Sequence, residues 1–353
     1  MKRVLFLAAL VVAAITAAIS IGTVSASAAS CTATGFVRDS TDLTAAVINP
    51  ATTVTGTVDA SGCNIGVYYS PGHTGSVNGA TVENANYFGV VNNGSSVSVT
   101  NSTVTQIGET PLNGSQHGVG IYFAAEGNST GTIQSNTVSH YQKNGIVVNG
   151  VGSSATISAN NVAGEGVVDY IAQNGIEVGY GATGTVTGNT VSGNAYSGMN
   201  NASSAGILVF GGPWLAAGVP YTTGVSVTKN TLTNNDVGIY FFNADASFNA
   251  PATATKDSAV NNTISDVNRT NVSGNGFPNG YQAGISDFGN HDNIVNNKIS
   301  GVGYASPPSG SIFTKIDTTG SVRPHTNQQQ QVAPASPARH VRAARAALTL
   351  IEK

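Results

Sequence analysis

The sequence predicts an all-β fold, a right-handed parallel β-helix of about seven or more coils. Three observations predict it. A Gly-aliphatic signature recurs along the chain, and a second signature, aliphatic-x-x-Asn-x-aliphatic, alternates with it. The pair returns at intervals of about 25–45 residues, the spacing of stacked supersecondary units.

The first signature is carried by Gly89-Val90-Val91, Gly120-Ile121-Tyr122-Phe123, Gly145-Ile146-Val147-Val148 and Gly175-Ile176-Glu177-Val178. It returns at Gly206-Ile207-Leu208-Val209, Gly238-Ile239-Tyr240-Phe241 and Gly284-Ile285. Alternation of this kind marks a strand. The second signature runs through Ile133–Val138, Ile157–Val162, Val186–Val191, Val227–Leu232 and Ile294–Ile299, with Asn136, Asn160, Asn189, Asn230 and Asn297 at the turn. Looser copies are Val99–Val104, with Ser102 at the Asn place, and Ala259–Ile264, with Asn262. One coil alone cannot bury its aliphatics, so coils must stack, strand on equivalent strand, about 4.8 Å apart. The Asn column is read as structural: Asn suits left-handed turn backbone and satisfies main-chain groups.

Runs such as Val186-Thr187-Gly188-Asn189-Thr190-Val191-Ser192 and Gly145-Ile146-Val147-Val148 resemble the parallel β-helix repeats of the pectate-lyase-like superfamily. The resemblance covers about residues 64–302. It implies the fold; the superfamily spans lyases, hydrolases, epimerases and adhesins, so activity has to be read from a site.

Four segments are expected. Residues 1–28 read as a secretory signal: Lys2 and Arg3, an apolar run from Val4, then Ala26-Ser27-Ala28. Residues 29–63 form an N-terminal cap, with a short helix over Asp39–Ile48 closing the first coil. Residues 64–305 form the β-helix, and 306–353 a Pro/Gln-rich linker and a basic tail. Arg339, Arg342, Arg345 and Lys353 suit contact with an anionic surface, the alternative being a solvated tail. Cys31 and Cys63, the only cysteines, are expected to pair as a disulfide in an oxidising compartment. The expected location is secreted or cell-surface, with no transmembrane segment after signal removal.

Charge is sparse and uneven. Cys31 to Gly320 holds seven Lys/Arg against sixteen Asp/Glu, a difference of −9; Ser321 to Lys353 holds five against one, a difference of +4. The acidic body argues against nucleic acid, which asks for a basic surface.

If the Ile after each repeat Gly points inward, the next residue points outward. That column reads Tyr122, Val147, Glu177, Leu208, Tyr240 and Ser286. Two residues before each Gly, a second outward column reads Gly118, Lys143, Gln173, Ser204, Asp236 and Gln282. Together they predict an exposed face of aromatics, a lysine and carboxylates, suited to sugar rings. Lys143, Glu177 and Asp169 are the candidate catalytic groups, with Lys143 as the base of a uronate lyase. About 14 Å of backbone separates Lys143 from Glu177, which places them out of contact. Tyr122, Gln173, Tyr240 and Trp214 are the candidate binding residues, Trp214 from a long interruption that folds over one face. Arg38 and Arg269 are not expected on this face. Calcium would fit lyase chemistry, but no coil offers several acids together, and the cofactor is left unassigned. Polygalacturonases of the superfamily carry Asn-Thr-Asp, Asp-Asp, Gly-His-Gly and Arg-Ile-Lys; none occurs here. Asp287, His291 and Asp292, and separately His117, are further titratable candidates, read first as turn residues. The expected function is binding or processing of polysaccharide, with uronate-polymer lyase as its catalytic form. The alternatives are a non-catalytic adhesin and a structural solenoid.

Overall fold

The computed structural model describes residues 30–124, 126–305 and 311–318. The expected signal segment, most of the linker and the basic tail lie outside the described residues.

Each coil contributes three short strands. The first joins an eleven-stranded sheet, here the front sheet; the second and third join a sixteen-stranded sheet that bends around the other two sides. In one coil these strands are Asn144–Asn149, Ser154–Ser158 and Asn161–Val168. The early strand Gly75–Glu83 is long enough to pair with both arms of the bent sheet, Ser96–Thr100 on one half and Thr103–Thr105 on the other. In later coils a turn splits the two arms.

The register matches the repeat. Ile121, Ile146, Ile176, Ile207, Ile239 and Ile285 stack in line along the front sheet. The bent sheet stacks Val99, Ile133, Ile157, Val186, Val227 and Ala259 on one arm, and Val104, Val138, Val162, Val191, Leu232 and Ile264 on the other. All belong to one continuous core. The repeat glycine has a steric cause. A Cβ on Gly145 would lie 2.5 Å from Val162 Cγ1 and 2.6 Å from Gly175 O, so the front strand packs too close to the third for any side chain.

The Asn column is also structural, with one correction. The left-handed residue is the one before the Asn, as at Ser135, Ala159, Lys229 and Asn261. The Asn side chain turns inward. Asn160 donates from both its backbone N–H and its amide to Asn189 Oδ1, each at 2.9 Å, and its amide also reaches Ile133 O. The same pattern runs from Asn136 to Asn297.

The expected helix over Asp39–Ile48 does not form. Strands Thr32–Arg38 and Thr41–Ile48 make an antiparallel hairpin instead, turning at Asp39 and Ser40 in left-handed backbone. Leu43, Ala45 and Val47 fall at alternate positions and so share one face of the strand, and Ala45 and Val47 pair directly with Ile65 and Val67 of the next coil. Parallel stacking therefore starts at the hairpin, before residue 64, and continues past 305 in strand Ile312–Asp317. The Cys31–Cys63 disulfide forms and ties the hairpin to the first coil. Among the described residues, no helix is long and apolar enough to cross a membrane.

Candidate functional site

The outward column stacks as the spacing predicts. Tyr122, Val147, Glu177, Leu208, Tyr240 and Ser286 are register partners on successive front strands. The expectation that it forms an exposed face is corrected: Tyr122, Val147 and Glu177 are 0% exposed and Leu208 is 3%. The column is outward only relative to the core. Its large side chains, one strand apart, pack over one another and over Phe36 and Leu43 of the hairpin. Further along, the long interruptions fold back, and Trp214, Phe248 and Phe277 pack on the same face. Trp214 thus lies on the expected face, but buried, edge-on to Phe242 at 4.8 Å, with its indole N–H donating to Gly211 O.

The second column is sealed as well. Lys143 is 2% exposed and donates from Nζ to Ala172 O at 3.0 Å. Glu177 accepts from Asn144 Nδ2 at 2.8 Å and Asn149 Nδ2 at 3.2 Å. Burial lowers the Lys143 pKa to about 8, and the Glu177 carboxylate opposes that shift. The two charges therefore sense each other through the buried face. Gln173 is a tie, its amide donating to Tyr141 O at 2.6 Å and its carbonyl accepting from Glu165 N at 2.9 Å. Tyr240 is half-buried and its hydroxyl accepts from Asn275 Nδ2 at 3.1 Å. Asp169 alone of these candidates is exposed, on the bend after Asn161–Val168, and the fold does not gather it with the buried Lys143 and Glu177.

Arg38 also departs from expectation. The hairpin folds it over the front face, where its guanidinium lies 4.1 Å from the Phe36 ring, donates to Tyr122 Oη at 3.3 Å and pairs with Glu126 at 2.5 Å. Asp287 stands in a core column, in register with Phe241, and Asp292 accepts from Thr255 Oγ1 and Asp257 N. Desolvation first, and then the Asp292 charge, push Asp257 and Asp287 well above the ordinary carboxylate range. His291 is exposed on a left-handed turn, so the three residues do not converge on one outer site. Among the described residues no group of three or more His, Cys, Asp or Glu is placed to hold a metal ion.

The surface that stays open is on the bent sheet. Thr103–Thr105, Thr137–Ser139, Thr190–Ser192, Thr231–Thr233 and Thr263–Ser265 project hydroxyls outward at both ends of a buried aliphatic. Thr137, Thr190, Thr231 and Thr263 are exposed. The pairing Thr103↔Thr137 and Thr190↔Thr231↔Thr263 sets the hydroxyls in line, one per strand spacing of about 4.8 Å, with Asn161 between Thr137 and Thr190. The signal is visible in the repeat, as the Thr-x-Ser/Thr that follows Asn136, Asn189, Asn230 and Asn262.

With this geometry, the chain is a right-handed parallel β-helix repeat protein. Residues 47–212 match the family described as right handed beta helix region. Searches of curated proteins and of solved structures find no match.

Proposed function

We propose that this is a secreted or cell-surface β-helix that holds a polysaccharide along its bent sheet without cleaving it. The observation that carries the reading is a contrast in exposure. The regular hydroxyl columns are open to solvent, whereas Lys143 and Glu177, the groups a lyase would use, are 2% and 0% exposed. A rigid row of hydroxyls suits a polymer whose own hydroxyls repeat along a chain, and many weak hydrogen bonds in series add to useful affinity. The pectate-lyase-like resemblance, the signal-like residues 1–28 and the disulfide support an extracellular polysaccharide as the partner class.

The test is sedimentation of the mature chain with insoluble plant, fungal and bacterial-wall polysaccharides, while reducing ends and unsaturated-uronate absorbance are followed. The expected result is retention on at least one polymer with no product, and about tenfold weaker retention for the Thr190→Lys/Thr231→Lys variant. Product that disappears in Lys143→Ala would replace this reading with a lyase. Absence of both retention and product would leave the structural solenoid.

A further inference from the structure

The arm of the bent sheet formed by Ser96–Thr100, Thr130–Gln134, Ser154–Ser158 and Thr183–Thr187 carries a wider array of hydroxyls than its neighbour. Val97, Val99, Ile133, Ile157 and Val186 point into the core, and the alternate residues of each strand point out. Two outward columns are complete. Ser96, Thr130, Ser154 and Thr183 form the first, and Ser98, Thr132, Thr156 and Thr185 the second. Ser226 and Ser258 continue the second column over the next two coils. The third column reads Thr100, Gln134, Ser158 and Thr187, so Gln134 is the one outward place on these strands without a hydroxyl. Ser96, Thr156, Thr183 and Thr185 are exposed.

The array repeats in two directions. Neighbours within a column lie one strand spacing apart, about 4.8 Å, and neighbours across columns lie two residues apart, about 6.6 Å. Thr is β-branched and stiff at χ1, so its methyl and hydroxyl keep fixed places. Sideways bonds anchor the third column, from Thr100 Oγ1 to Asn78 Oδ1 at 3.2 Å and from Thr228 Oγ1 to Thr187 Oγ1 at 3.0 Å. No charged residue occurs in the four strands.

We infer that this arm binds the surface of ice. One polysaccharide chain follows one column, whereas a solid whose oxygens repeat in two directions meets every column at once, and many weak contacts then add. Ionic minerals ask for charged side chains, which these strands lack. Hexagonal ice is neutral, donates and accepts hydrogen bonds at every oxygen, and repeats its oxygens at comparable spacings on its prism face. A first layer of water held between the Thr methyls and hydroxyls takes up the remaining mismatch. The array shares no residue with the columns from Thr103 to Ser265 on the neighbouring arm, so it stands or falls independently of polymer binding there.

The experiment is slow freezing of the mature chain together with serum albumin, with both proteins measured in the ice and in the remaining liquid. Single ice crystals are grown in parallel under the microscope. Enrichment of the chain in ice over albumin, and faceted crystals, are expected. Thr156→Lys/Thr185→Lys is expected to fall to the albumin level, because two ammonium groups in the second column hold the face off the lattice. Thr190→Lys/Thr231→Lys, on the neighbouring arm, is expected to partition as the wild type does even where it loses polymer retention. The inference is overturned if the wild-type chain is excluded from ice as albumin is, if Thr156→Lys/Thr185→Lys partitions as the wild type does, or if Thr190→Lys/Thr231→Lys lowers partition equally. Should Thr156→Lys/Thr185→Lys fail to fold by circular dichroism, Thr156→Lys alone is measured against the same criteria.

Discussion

Asn189 accepts two hydrogen bonds at one oxygen, from the backbone N–H and the side-chain amide of Asn160, one coil earlier. Its own amide passes the pattern on to Ile157 O and Asn230 Oδ1. The turn has no other means of satisfying its inward amides, because water is excluded from a side chain 1% exposed.

Asn189→Ala is therefore expected to cost about 2–3 kcal/mol, since it strands buried donors on Asn160 without filling their place. Urea unfolding followed by circular dichroism checks this. A loss below about 0.5 kcal/mol would mean the ladder is incidental.

Lys143 and Glu177 make a second linked pair. Lys143→Met leaves Glu177 buried beside a lost cation, and a cost of about 3–5 kcal/mol is expected. Adding Glu177→Leu removes the orphaned charge, so the double variant should recover much of that loss. The urea midpoints of both singles and the double give the coupling; additive losses would show that the two charges do not act together.

Acid should stabilise the fold through Asp236. Burial, opposed by bonds from Ser204, Tyr196, Thr270 and Asn271, raises its pKa to about 7. The folded state then holds this proton more tightly than the unfolded chain. Stability is highest below the unfolded carboxylate range, falls as pH rises from about 4 through 7, and levels off above, a span on the order of 4 kcal/mol from this group. Asp266, raised to about 6 chiefly by burial, acts in the same direction. Melting temperatures from pH 4.5 to 8.5 should fall, and Asp236→Asn should flatten the slope; a profile rising across this window would refute the assignment.

The hairpin depends on its covalent tie. Replacing Cys31 and Cys63 with Ser opens a link across 32 residues and is expected to cost about 3 kcal/mol, concentrated in the first coils. Hydrogen exchange should show Thr32–Ile48 losing protection while the coils beyond Asn144 keep theirs.

Much of the architecture was legible because it is periodic. The inward Ile and Val columns and the outward column from Tyr122 to Ser286 follow from spacing, each repeat reading the next, and Cys31 and Cys63 pair as the only two cysteines. The N-terminal cap was not legible. Asp39–Ile48 occurs once, and a segment without a repeat offers only local propensity, which pairing with Ile65 and Val67 overrode.

What the sequence by itself determined is which residues share a column, since strand alternation and coil length leave few other registers. Only the tertiary structure decided which columns meet solvent. The front column carries the aromatics and charges that look functional, yet the hairpin and the Trp214, Phe248 and Phe277 loops close over much of it. The Thr and Ser columns, plain in composition, stay open because the long segment after Thr263–Ser265 folds toward the front face, where Phe277 stacks on Tyr281, rather than across the bent sheet. Burial depends on where loops from distant coils come to rest, and nothing local to Lys143 or Thr190 records that.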